Sequence, residues 1–213
     1  LLYILDQLYP EKIYPSKVAL KELQDLEARS LNDSTIAKST TVISIAFANV
    51  QNLTHHFQDV RCDYRLKRND LLLLAETWIP NDMTPEETSR YSLQPYATNY
   101  CNVGPGKGMV GHSKEMFHLV SHITKPTYQM MKYELSFLHQ RGQMVKCDVI
   151  GQYRSNNSNV ECFVADLMRI IDSTRICIIF GDFNICTRKS PNNRIASTLL
   201  QNHFHWNPIR STR

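Results

Sequence analysis

Short apolar runs punctuate a chain that is otherwise mixed in polarity. VISIAF at 42–47, LLLL at 71–74 and ICIIF at 176–180 are each too brief for a core helix and are bounded by polar residues. Such runs predict buried strands. YELSFL (133–138) and MVKCDVIGQY (144–153) predict two more, joined by a turn around Arg141 and Gly142. The runs are apolar on both faces instead of alternating, which places them in sheets covered on both sides. Between the first two, Leu53, Phe57, Val60 and Tyr64 recur at helical spacing. A stripe of Val160, Phe163, Val164, Leu167, Met168 and Ile171 predicts a second helix, with Ser158 and Glu161 spaced as a capping box. A further helix is expected over 191–201, and Gly104, Pro105, Gly106 and Gly108 mark a loop. Strands with helices between some of them give an α/β architecture of layered sheets.

The rhythm before residue 42 is different. Ser16 opens SKVALKELQDLEAR, where Ala19, Leu23 and Leu26 share one helical face, and the polar SLNDSTIAKST follows. We therefore expect a helical arm and linker over 1–40 and one α/β domain over 41–213.

Composition narrows the class. With 42% hydrophobic and 21% charged residues among 213, the chain is too apolar to be disordered and long enough for one sizeable core. No apolar run approaches the roughly 20 residues needed to span a bilayer. LLYILDQLYP lacks the basic start and small-residue cleavage site of a signal peptide, so a nuclear or cytoplasmic rather than secreted protein is expected. Because the chain opens on Leu1, we expect it to be part of something longer. The net charge of +4 is compatible with a polyanionic partner. None of the six cysteines stands in a C-x-x-C pair, which weighs against zinc. Cys162 and Cys177 sit in apolar patterns and are expected to be buried, reduced thiols. His55 and His56 are expected at the surface.

The polar residues at the strand tips carry the candidate chemistry. Asn49 follows the first strand, Glu76 the second, Tyr153 and Arg154 a later one, and Asp182 and Asn184 the last. Strand ends are rigid platforms on which such groups can converge. Two carboxylates with carboxamides form a hard-oxygen set suited to Mg²⁺, and a nearby arginine suits a phosphate. Arg61, Arg65, Lys67 and Arg68 cluster near the first helix, either as a track for a phosphate backbone or as a solvated face.

In order, ANVQNL, AETW, QYRS and GDFN resemble the endonuclease/exonuclease/phosphatase superfamily, with its DNase I-like fold, over roughly residues 42–204. QYRS and GDFN look most like the nuclease domains of non-long-terminal-repeat retrotransposons and Helitron-type elements. The resemblance implies a four-layer α/β/β/α sandwich, here lacking its last strand or strands. It implies Mg²⁺ or Mn²⁺ as cofactor and a nucleic acid, most readily DNA, as partner. It would make Asn49 and Glu76 metal-site residues, Tyr153 a contact of the scissile phosphate, Asp182 the group that orients or deprotonates water, and Asn184 a donor to the phosphate. Arg154 would bind phosphate beside Asn184. The implied reaction is metal-assisted, in-line hydrolysis of a phosphodiester.

The chain departs from that pattern twice. It contains no Ser-Asp-His, the family's C-terminal motif, and we expect the domain to stop short of it; His203 and His205 are not expected to replace it. In GPGKGMVGHSKEMF (104–117), His112, Ser113, Lys114 and Glu115 interrupt an otherwise apolar strand, which we expect to be damaged. The alternative readings are a catalytically dead remnant that binds nucleic acid or protein, and a phosphomonoesterase of the same superfamily.

Overall fold

The computed structural model describes residues 43–138, 144–172 and 175–184. The arm over 1–40, the turn at Arg141 and Gly142, Cys186, the helix over 191–201, His203 and His205 lie outside the described residues.

Two four-stranded sheets face each other. The first contains β1 (Ile45–Asn49), β2 (Leu71–Ala75), β3 (Ala97–Cys101) and β4 (Met109–Ser113), in the order β1-β2-β4-β3. The second contains β5 (Phe117–Lys125), β6 (Tyr128–Leu138), β7 (Met144–Arg154) and β8 (Ile176–Asp182), in sequential order. Among the described strands, only β1–β2 and β7–β8 are parallel. Parallel neighbours need a crossover, and a helix supplies each one. α1 (Leu53–Cys62) and the single turn α2 (Tyr64–Lys67) link β1 to β2, and α4 (Val160–Ile170) links β7 to β8. A short α3 (Pro85–Ser89) precedes β3.

Three apolar clusters separate four layers. Phe47, Leu73, Met131, Tyr133, Val149 and Phe180 fill the space between the sheets. Leu72, Leu74 and Val110 pack outward on Leu53, Val60 and Leu66 of the first crossover. Met130 and Ile150 pack outward on Phe163 and Leu167 of α4. Leu71, Leu72, Leu73 and Leu74 are all fully buried because β2 is covered on both faces; burying each such side chain contributes about 1.5–3 kcal/mol. This is the expected α/β/β/α sandwich.

Several details differ from the sequence reading. β1 starts at Ile45, three residues later than the VISIAF run, and Asn49 is its last residue. The cap of α4 is Asn159: its carboxamide oxygen accepts from the amides of Glu161 (2.8 Å) and Cys162 (3.0 Å), so Ser158 caps nothing. The real capping box is at α3, where Thr84 and Glu87 exchange side-chain-to-backbone bonds around Pro85. Cys162 is exposed, and only Cys177 of that pair is partly buried. His55 and His56 are exposed, as expected.

The damaged strand is intact. β4 is buried along its whole length and pairs in register with β2 and β3. His112 fits because its Nδ1 lies 3.0 Å from the Thr98 hydroxyl and its ring meets Tyr96 edge-on. Lys114 binds Asp70 at 2.8 Å just beyond the strand, and Asp70 also accepts the Ser44 amide at 2.8 Å. Burial pushes the His112 imidazole down to about 4. The unfolded chain therefore takes up this proton first as pH falls. Through His112, stability is unaffected above about pH 6.5 and declines between there and pH 4, by up to about 3 kcal/mol. Urea denaturation at stepped pH is expected to show that slope in the parent and a smaller one in His112→Asn; equal slopes would exclude His112 as its source.

Candidate active site

Both parallel pairs deliver their C-terminal ends to one rim between the sheets. The link is direct: the Tyr153 hydroxyl, from the second sheet, donates to Glu76 Oε1 at 3.0 Å, beyond the tip of β2 in the first. Asn49 pairs with Ala75, the neighbour of Glu76, and Tyr153 pairs with Asp182 across β7–β8. Asn184 follows two residues later, and its backbone amide donates to Asp182 Oδ1 at 2.9 Å. The structure thus gathers Asn49, Glu76, Tyr153, Asp182 and Asn184 from four strand ends.

Tyr153 is 3% exposed. Burial first, and then the charges of Glu76 and Asp182, push its phenol well above the usual tyrosine range. It is therefore a neutral hydroxyl and a donor at any physiological pH. Arg154 is 6% exposed and engaged elsewhere. Its guanidinium donates to the carbonyls of Phe183 (2.9 Å), Asn184 (3.3 Å) and Ser158 (3.4 Å). The Asn184 carboxamide returns a bond to the Arg154 carbonyl at 2.6 Å. Arg154 is a clamp under the GDFN loop, with burial lowering its pKa and the Asp182 charge opposing that shift.

Backbone strain concentrates here. Among the described residues, the non-glycine positions with positive φ are Gln51 (44°), Asn52 (90°), Glu76 (52°), Trp78 (58°) and Asn184 (47°). All follow β1, β2 or β8 at this rim. Each such position costs on the order of 1–3 kcal/mol and persists only where its surroundings over-determine it. Here the loops brace one another: the Asn52 amide donates to the Glu76 carbonyl (2.8 Å), Leu53 to Thr77 (2.9 Å) and Trp78 to Lys107 (2.8 Å). Gly181 is also left-handed, at φ 132°, and a Cβ there would lie 1.9 Å from the Gln152 carbonyl oxygen.

The rim offers oxygen donors of the kind a hard divalent cation takes, while among the described residues no three His, Cys, Asp or Glu side chains are grouped as a metal site. Glu76 and Asp182 bring carboxylates and Asn49 and Asn184 bring carboxamides, and the Tyr153 bond uses only one of the two Glu76 oxygens. Such oxygen ligands suit Mg²⁺ or Mn²⁺. The basic cluster is not part of the rim. α1 starts at the rim and carries Arg61 in its last turn, about 12 Å further along the helix axis. Arg65 there is paired with Asp63 at 3.1 Å.

Sequence reasoning passes over two residues at or beside the rim. Gln129 is fully buried and pairs with Tyr153 across β6–β7, a placement no local pattern signals. Trp78 stands within the AETW motif, and its left-handed backbone is visible only in three dimensions.

No protein-family model and no curated protein matches the chain. Solved structures do. An AP endonuclease from Leishmania major superposes with a TM-score of 0.52 at 14% identity, over 83% of this chain and 68% of that one. An AP endonuclease from Archaeoglobus fulgidus gives 0.49 at 18%, over 70% of this chain and 60% of that one, so the chain spans less than two thirds of that protein. TDP2 from Caenorhabditis elegans gives 0.47 at 17%, over 90% and 73%. The likeness is one of fold: a DNase I-like α/β/β/α sandwich.

Proposed function

We propose that the rim hydrolyses phosphodiesters in nucleic acid, with DNA as the substrate, in a nuclease domain of mobile-element origin that uses Mg²⁺ or Mn²⁺. The Tyr153–Glu76 bond supports this reading most strongly, because it joins the two sheets where Asp182 stands in register. Glu76 and Asn49 would hold the ion. When bound, it supplies positive charge against the developing oxyanion. Asp182, its geometry fixed by the Asn184 amide, orients the attacking water and accepts its proton. Tyr153, uncharged, orients Glu76 with its single O–H. The second N–H of the Asn184 carboxamide, held in place by its bond to the Arg154 carbonyl, is a donor for a phosphate oxygen and needs no reorganisation as charge develops. Arg154 acts through Asn184, since three carbonyls occupy its guanidinium.

Nicking of supercoiled plasmid tests the reading. The chain is expected to nick with Mg²⁺ and not with EDTA, and Glu76→Ala is expected to abolish nicking while remaining folded. Nicking in EDTA, or nicking that survives Glu76→Ala, would refute the metal-dependent scheme. A folded chain that binds DNA but never nicks it would favour the non-catalytic alternative.

A further inference from the structure

Trp78 combines three features that packing alone does not account for. Its backbone is left-handed at φ 58°, which is unusual for a bulky residue. Its indole Nε1 is buried with no hydrogen-bond partner among the described residues. Yet the residue as a whole is only partly buried. An orphaned buried donor and a strained backbone both oppose folding. Glycine or asparagine would take the same backbone conformation at lower cost. The strain is nevertheless held fast, since the Trp78 amide donates to the Lys107 carbonyl (2.8 Å) and the Thr77 amide to the Gly108 carbonyl (3.4 Å). Two residues earlier stands Glu76, bonded to Tyr153.

We propose that Trp78 is a stacking platform for an unpaired nucleobase next to the phosphodiester held at the rim. The inference rests on the nucleic-acid part of the reading above and adds the feature of the substrate that the site would grip. A rigid, partly exposed indole suits this role because every base presents a flat π-face, and little conformational freedom is lost when a fixed ring is covered. Lys107 contributes only its backbone carbonyl, which holds the Trp78 amide. The expected selectivity is for splayed or single-stranded bases over phosphate charge alone.

The chain has two tryptophans, Trp78 and Trp206, so intrinsic fluorescence reports the contact without turnover. In EDTA, the whole chain is titrated with an oligothymidylate and with an abasic oligomer of equal length and charge. We expect saturable quenching by the first and none by the second. In Trp78→Phe, where only Trp206 reports, the quenching is expected to vanish. In Trp78→Ala, oligothymidylate binding is expected to weaken about tenfold while abasic binding is unchanged. Absent quenching, equal quenching by both oligomers, or quenching that survives in Trp78→Phe overturns the proposal. If a variant does not fold, the two titrations of the parent chain still decide. Base-selective quenching without plasmid nicking would remove the hydrolase reading and leave this site standing. Nicking without base-selective quenching would do the reverse.

Discussion

Asp182→Asn is expected to fold like the parent chain and to lose about three orders of magnitude of Mg²⁺-dependent nicking. The substitution is close to isosteric, and the asparagine oxygen can still accept the Asn184 amide that Asp182 Oδ1 accepts at 2.9 Å. The loop therefore keeps its shape, and so does the Asn184 bond to the Arg154 carbonyl. What disappears is a negative charge and a basic oxygen beside Tyr153. An amide cannot take a proton from water at neutral pH, so the expected loss falls on the rate constant, with substrate affinity nearly unchanged. The parent and the variant should be compared in single-turnover nicking, with thermal melting as a check on folding. Activity within tenfold of the parent in a folded Asp182→Asn chain would remove Asp182 from the role of proton acceptor.

Gly181→Ala is expected to destabilise the chain by at least about 3 kcal/mol. The added methyl group would sit 1.9 Å from the Gln152 carbonyl oxygen and 3.0 Å from the Gln152 nitrogen. These are backbone atoms of the neighbouring strand, with no rotamer to move aside. The strand itself must shift, and Gly181 pairs with Gln152 in the same ladder that sets Tyr153 against Asp182. Gly104→Ala is an internal control. Gly104 has φ 99°, but an added methyl group there would meet nothing within 4 Å among the described residues, so only backbone strain, about 1 kcal/mol, is expected. Urea denaturation of both variants separates collision from strain, and equal losses would mean that the contact with Gln152 relaxes freely.

The sequence is most legible where one requirement dominates. β2 and β8 are apolar runs ending at Glu76 and GDFN, and the structure puts strands there. The stripe from Val160 to Leu167 is helix α4. β5 escapes a search for apolar runs because its burial alternates, with His118 and Val120 toward solvent on a strand at the edge of its sheet. β3 is short, and its ATNYC has only one fully buried residue. β4 misleads for a different reason. A histidine in a strand reads as an interruption until Thr98 and Tyr96 are seen beside it. At the rim, the residue types at the strand tips are readable, and the structure brings five of them together. Arg154 is not readable in the same way. A buried arginine that clamps carbonyls and an exposed one that awaits a phosphate have the same one-letter code. The left-handed positions at Gln51, Asn52, Glu76, Trp78 and Asn184 are also invisible, because they are imposed by loops that brace one another and not by local preference.

The Tyr153–Glu76 bond joins residues 77 apart in the chain, whereas the β6–β7 hairpin joins near neighbours in a continuous ladder from Tyr128–Arg154 to Leu138–Met144. Contacts that close long loops carry a larger entropic cost and form later than local ones. In folding time, then, the hairpin can zip early and bring Tyr153 to the end of its strand with nothing to donate to. Glu76 arrives only when the two sheets dock, and Asp182 only when β8 crosses over. The rim is the last feature this chain assembles as it folds and the first it loses as it loosens. A partly folded copy emerging from the ribosome would carry every residue of the rim and none of its geometry.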